Sequence, residues 1–296
     1  MEVGQDPFVV ILGNAQDGGV PHIGVPSVAW DHLAKRRTAA SLGIIDPVTG
    51  ERWIVEATPD FKEQLHRLHG VASASSSQVR SPGYISGILI SHAHIGHYLG
   101  LSFLGKEMMN AEGIPLYAMP KMSQFLRHNL PWSDLIRNRN VALRELSADT
   151  SFRLNERISI TPLLVPHRDE HSETVGFRID GPDRSLLFIP DIDRWEDWDE
   201  WGRRVEEEIA MVDYALLDGT FFDGNELPGR DMGKIPHPTI SSSVERFASL
   251  PEIERRKIRF IHLNHSNPAL DADSPECQLI GQGGFRVAEE GERLLL

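Results

Sequence analysis

Ser91-His92-Ala93-His94-Ile95-Gly96-His97 directly follows the apolar run Gly87-Ile88-Leu89-Ile90. A short isoleucine- and leucine-rich run opened by Gly reads as a buried strand. Three histidines within six residues at the end of such a strand are hard to explain by packing and easy to explain as metal ligands. Residues two apart on an extended chain face the same side, so His92 and His94 can grip one ion. A turn into helix then returns His97 towards the same place.

Working outward, other apolar runs end in the same way. Ile158 to Pro166 leads into His167, with Arg168, Asp169, Glu170 and His171 behind it, the last two read as outer supports. Ser185 to Pro190 ends on Asp191, and Tyr214-Ala215-Leu216-Leu217 delivers Asp218-Gly219-Thr220-Phe221. Ile258-Arg259-Phe260-Ile261 ends in His262-Leu263-Asn264-His265, and a loop with Pro228, Gly229, Gly233 and Pro236 brings His237 to a helix near Ser241 to Leu250. Alone, Asp191 reads as a turn aspartate; beside these strand-end histidines it reads as an oxygen ligand able to bridge two ions.

Composition narrows the chemistry. The one cysteine, Cys277, forbids an internal disulfide and a thiolate cage, so a metal here is held by nitrogen and oxygen. The 296 residues, 40% of them hydrophobic, suffice for one large α/β domain or two small ones. No apolar run approaches the roughly 18 to 20 residues of a spanning helix, and Met1 to Asp6 lacks the order of a signal peptide, so the expectation is a cytoplasmic protein without a membrane partner. A net charge of −13 opposes attraction to nucleic acid and favours a small-molecule substrate; a homo-oligomer stays open.

The rest of the chain reads as alternating strands and helices. Phe8 to Leu12 opens as a strand, and Gly13-Asn14-Ala15-Gln16-Asp17-Gly18-Gly19 is either a pocket-bordering loop, with Asp17 and His22 as polar contributors, or a plain connector. Ser41 to Asp46 and Arg52 to Ala57 flank hairpin punctuation at Pro47 to Gly50, and Thr58-Pro59-Asp60 opens a helix. Ala72 to Gln78 reads as a low-complexity connector, and Tyr98 to Asn110 as a helix. Strand, helix, strand through Ile114 to Met119 suggests an α/β layer. Glu200 to Val212 reads as one helix, and Phe285-Arg286-Val287 with Arg293-Leu294-Leu295 as a closing edge hairpin.

The ordered set His92, His94, His97, His167, Asp191 and His262 resembles the signature of the metallo-β-lactamase superfamily, a strand ending in His-x-His-x-Asp-His followed by later strand-end His, Asp and His. The loop from Gly13 to Gly19, Asp218-Gly219-Thr220-Phe221 and His262 to Pro268 look like the branch that contains the pyrroloquinoline-quinone (PQQ) biosynthesis B protein. Departures are also visible. That protein lacks the first two metal histidines, which this chain keeps. The Asp of the histidine motif is Gly96 here, and the cysteines common in the early loop of that branch are replaced around Val25, Pro26 and Ser27.

The resemblance implies a single α/β domain over residues 1–296, a four-layer αβ/βα sandwich with its site at one end of two sheets. It implies that His92, His94, His167 and Asp191 hold a first divalent ion, zinc ahead of iron or manganese. His97, His262 and the shared Asp191 are placed to hold a second, weakened because Gly96 removes a carboxylate, so the expectation is a mononuclear or unevenly loaded centre. The expected activity is hydrolysis of an ester, lactone, amide or phosphodiester by metal-activated water, with Asp191 orienting the water and His237 or His265 assisting the developing oxyanion or protonating the leaving group. An iron-dependent oxidase or hydroxylase and a non-catalytic metal-binding protein are the alternatives.

Overall fold

Alternation along the apolar runs sorts their side chains onto two faces. In β1 (Phe8–Gly13), Phe8, Val10 and Leu12 enter one buried cluster while Val9 and Ile11 enter another. In β10 (Ser185–Ile189), Leu186 and Phe188 share the cluster of Val9 and Ile11, while Leu187 and Ile189 face a third. The computed structural model of the chain describes residues 5–23, 36–76, 84–227, 229–230 and 235–296.

Two seven-stranded sheets result. The first has the order β14-β1-β2-β3-β4-β5-β6, with β2 (Ser41–Asp46), β3 (Glu51–Val55), β4 (Gly87–Leu89), β5 (Ile114–Ala118), β6 (Val141–Glu145) and β14 (Arg293–Leu295). The second runs β13-β12-β11-β10-β9-β8-β7, with β7 (Phe152–Arg153), β8 (Ser159–Leu164), β9 (Val175–Asp180), β11 (Tyr214–Asp218), β12 (Ile258–Ile261) and β13 (Arg286–Val287). Their inner faces pack through Ile11, Leu42, Trp53 and Val55 against Phe177, Phe188 and Leu216. Helix Phe61–Ser75 and helix Pro120–His128 cover the outer face of the first sheet through Phe61, Leu68, Met122 and Leu126. Trp195, Trp198, Ile209, Phe247 and Ile280, on four further helices, cover the second. This is the expected four-layer αβ/βα sandwich. Among the described residues no helix is long and apolar enough to cross a membrane.

Four local expectations are corrected. The stretch from 200 to 212 is not one helix: helix Trp195–Glu200 ends early, Gly202 takes a φ of 79°, and a second helix occupies Val205–Ala210. The last two strands form no hairpin, because β13 pairs with β12 in one sheet and β14 with β1 in the other. Ala72 to Ser75 continues the preceding helix, with Ala72 buried and Ser75 Oγ bonded to the Val71 carbonyl at 2.8 Å. In place of one helix from Tyr98 to Asn110, a short helix over Ile95–Tyr98 is followed by a 3₁₀ turn over Leu99–Leu104. The loop positions 25–27, 228 and 233 and the connector residues 77 and 78 lie outside the described residues.

Candidate metal centre

Strand direction assembles the site. β8 and β10 each pair antiparallel with β9, and β11 and β12 follow β10 in parallel, so β8, β10, β11 and β12 end at one edge of the second sheet. His167, Asp191, Asp218 and His262 stand at those ends. The segment after β4 is tied to the same edge by the Val175 amide donating to the Ser91 carbonyl at 3.2 Å and the Ala93 amide donating to Ser172 Oγ at 2.8 Å.

One donor atom from each of His92, His94, His167 and Asp191 lies within 4.8 Å of the others. His94 Nδ1 is 3.1 Å from His167 Nε2. Asp191 Oδ2 is 3.5 Å from His92 Nε2, and Asp191 Oδ1 is 3.8 Å from His167 Nε2. Tetrahedral ligands at about 2.0–2.1 Å from a zinc-sized ion stand about 3.3 Å apart, so this spacing suits one ion. A second group brings together Asp17, His97 and His262 within the same limit. Asp191 reaches it too, with Oδ2 2.9 Å from His97 Nε2 and 3.6 Å from His262 Nε2.

The donor chemistry fits metal better than hydrogen bonding. His92 Nε2 and both ring nitrogens of His97 are buried without a hydrogen-bond partner, although carboxylate oxygens stand nearby. Leaving a buried polar group unsatisfied costs about 1–3 kcal/mol each. A bound cation gives the Nε2 lone pair of each ring a target, while His97 Nδ1 faces Glu56.

Electrostatics prepares the ligands. Burial, with His97 adding to it, holds His92 well below the usual imidazole range, and burial with His167 brings His94 down to about 4. Both are neutral at pH 7, as ligation requires. Burial works against ionisation of Asp191, but His262, His167 and His97 outweigh it and hold its carboxyl well below the usual range. Burial likewise works against ionisation of Asp17, but the nearby rings of His262 and His97, with Nε2 atoms 3.4 and 3.3 Å from its Oδ1, outweigh it and hold its carboxyl well below the usual range.

The other face of each ring is also held. Asp193 Oδ1 lies 2.8 Å from His167 Nδ1, Ser91 Oγ 2.8 Å from His92 Nδ1 and Thr220 Oγ 3.0 Å from His262 Nδ1. Such partners fix tautomer and ring orientation and leave the second nitrogen to the ion. Glu56 Oε2 sits 3.5 Å from His97 Nδ1. Glu56 and His262 are non-glycine residues at φ of 72° and 66°, a strained backbone region in which active-site residues recur.

The structure thus brings together all six residues expected to hold metal. His237 adjoins them: its Nδ1 is 2.8 Å from Asp218 Oδ2 and 3.5 Å from Asp191 Oδ1. Burial opposes its charge, but Asp218 and Asp191 prevail and raise it to about 9. His265 lies apart. It stacks on His22 at 4.3 Å and lines a cavity of about 500 Å³ with Asp17, Gln16, Phe221 and Arg230. Glu170 and His171 are exposed, though Glu170 Oε2 stands 3.9 Å from His94 Nε2; further outer support comes from Asp193, Ser91, Thr220 and Glu56. Asp193 is recognisable by its place two residues after Asp191; nothing local marks Glu56.

From residue 45 to residue 263 the sequence matches the family described as the beta-lactamase superfamily domain. The chain belongs to the beta-lactamase superfamily. Within that superfamily it is 27% identical to coenzyme PQQ synthesis protein B of Methylorubrum populi over 318 aligned positions, spanning 96% of this chain and 98% of that protein. The fold is similar to Zn(2+)-bound PqqB from Methylobacterium extorquens, with a TM-score of 0.78, 25% identity and coverage of 98% and 100%. A diphosphatase of the PhnP family shares the superfamily fold at a TM-score of 0.64 and 20% identity, covering 98% of this chain and 97% of its own.

Proposed function

We propose that this protein is a metal-dependent hydrolase of a small ester, lactone, amide or phosphodiester. The observation that carries the reading is the convergence of neutral His92 and His94, His167 and an ionised Asp191 on one point, with His92 Nε2 buried and unpartnered there and the adjoining Asp17 lining a cavity of about 500 Å³. These four residues would hold a divalent ion. Zinc is favoured by the three-imidazole, one-carboxylate set and by likeness to a zinc-bound relative. When bound, such an ion supplies Lewis acidity and brings the pKa of water from about 15.7 towards 7.

The chain's own groups do the rest. Asp191 accepts a hydrogen bond from the attacking water and orients it. His237 is the proton donor: Asp218 occupies its Nδ1–H, which leaves the Nε2–H of the imidazolium to pass to a leaving group. His265 and His22, on the cavity wall, bind substrate, and Arg230 in the same wall favours an anionic one.

Elemental analysis of protein purified without added metal, followed by assay on chromogenic esters, lactones, amides and phosphodiesters with oxygen uptake monitored, tests this. Turnover of at least one class, abolished by chelation and by Asp191→Ala and without oxygen uptake, is the expected result. The cysteine-free donor set and the near full-length likeness to a PQQ synthesis protein favour a second reading, an iron-dependent oxidase. Oxygen uptake by iron-loaded protein with no hydrolysis would replace the first reading by the second.

A further inference from the structure

The loop after β1 carries Asp17 into the site from 80 residues away in sequence, and its path is fixed by the opposite sheet. The Gln16 amide donates to the Leu263 carbonyl at 2.8 Å, the Leu263 amide donates to the Asn14 carbonyl at 2.9 Å, and Asn264 Nδ2 donates to Gln16 Oε1 at 2.6 Å. Asp17 is therefore registered against His262, one residue from the contact. Its Oδ1 lies 3.3 Å from His97 Nε2 and 3.4 Å from His262 Nε2.

Gly96 matters for the same reason. A Cβ built at position 96 would fall on the Asp17 carboxyl group, far inside contact distance. The Asp17 side chain thus occupies the volume that any side chain at 96 would need. Absence of a side chain at one position and presence of a carboxylate from another are two halves of one arrangement.

We infer that Asp17 is a metal ligand, completing with His97, His262 and Asp191 a second divalent-cation site adjacent to the first. His97 Nε2, buried and without a hydrogen-bond partner between Asp17 and Asp191, is the independent mark that something other than a hydrogen bond belongs there. With Asp17 in place, two carboxylates and two imidazoles face this point, a full tetrahedral set without any contribution from residue 96. The inference rests on metal binding by the cluster and not on the hydrolytic reading.

Zinc titration by calorimetry and metal counting after dialysis provide the test, independent of any activity. Wild-type protein is expected to retain two zinc ions per chain. Asp17→Asn, nearly isosteric, is expected to retain one, with affinity for the second falling by about 100-fold or more, beyond the 10–100-fold typical of an outer-shell change. The retained first ion reports an intact fold. Moving the carboxylate, in the double variant Asp17→Gly with Gly96→Asp, is expected to restore the second ion, whereas Gly96→Ala alone displaces Asp17 and weakens it. One ion in the wild type, or two in Asp17→Asn at unchanged affinity, overturns the assignment of Asp17 and leaves the hydrolase reading with the first ion. Loss of both ions in Asp17→Asn overturns it as well, because Asp17 would then support the whole cluster. No ion in the wild type removes both readings.

Discussion

Asp218→Asn in metal-free protein separates the buried Asp218–His237 pair from the rest of the centre. Asp218 is fully buried and accepts four hydrogen bonds: from the Thr220 amide at 2.9 Å and hydroxyl at 2.8 Å on Oδ1, and from the Ile192 amide at 3.1 Å and His237 Nδ1 at 2.8 Å on Oδ2. An amide nitrogen in place of Oδ2 keeps the first two and loses the last two. His237 is lifted from 6.5 to about 9, chiefly by Asp218 acting against burial. The folded state thus holds a proton that the unfolded state releases between those values. Stability from this group is complete below pH 6.5 and declines as pH rises through about 9, at about 1.4 kcal/mol per pH unit and about 3 kcal/mol in all. Urea unfolding at intervals from pH 6 to 10 reads this slope directly. The variant is expected to lose more than half of it, the part contributed by Asp191 remaining. Burial opposes the charge on His97, but Asp17, Asp191 and Glu56 prevail and raise it, so it adds a slope of the same sign to both proteins and cancels in the difference. An unchanged slope in the variant would refute the assignment of His237 as the proton-holding partner of Asp218.

Asp193→Ala frees the Nδ1 of His167 and is expected to weaken zinc binding by about 10–100-fold without abolishing it, as measured by competition with a chromophoric chelator. His265→Ala should leave the metal count unchanged and raise KM more than it lowers kcat once a substrate is identified, since this ring lines the cavity and lies outside the donor clusters. Phe188→Ala opens a hole between the sheets and is expected to destabilise by about 3–5 kcal/mol in urea unfolding while zinc stoichiometry stays at the wild-type value. Chelation should lower the melting temperature of the wild type, and zinc should restore it in a concentration-dependent way.

The fold was legible because the strands are apolar runs that stop abruptly on ligand-type residues. His92, His94, His167 and His262 can be found by that rule, and Asp191 once it is read beside them. Asp17 escapes it, since its approach to His262 is set by backbone bonds between Gln16 and Leu263, 247 positions apart, and the local sequence shows only a glycine-rich loop. Asp218 meets the rule, ending the run Tyr214 to Leu217, whereas Glu56 escapes it because that strand reads on to Ala57. Each lies at a strand end like the ligands, and only the three-dimensional placement shows that Glu56 faces His97 and Asp218 faces His237. Apolar periodicity located β13 and β14 but says nothing about which neighbour a strand selects, so a short loop between them reads as a hairpin.

The separation of β13 from β14 bears on how the chain assembles. Residues 8–145 hold every strand of the first sheet except the one at its outer margin, and that one arrives only after the whole second sheet has been made. During synthesis β1 must wait with one side unpaired while about 280 further residues emerge, a template open to unwanted strand addition. Docking of Arg293–Leu295 against Phe8–Val10 is then the event that seals both halves together.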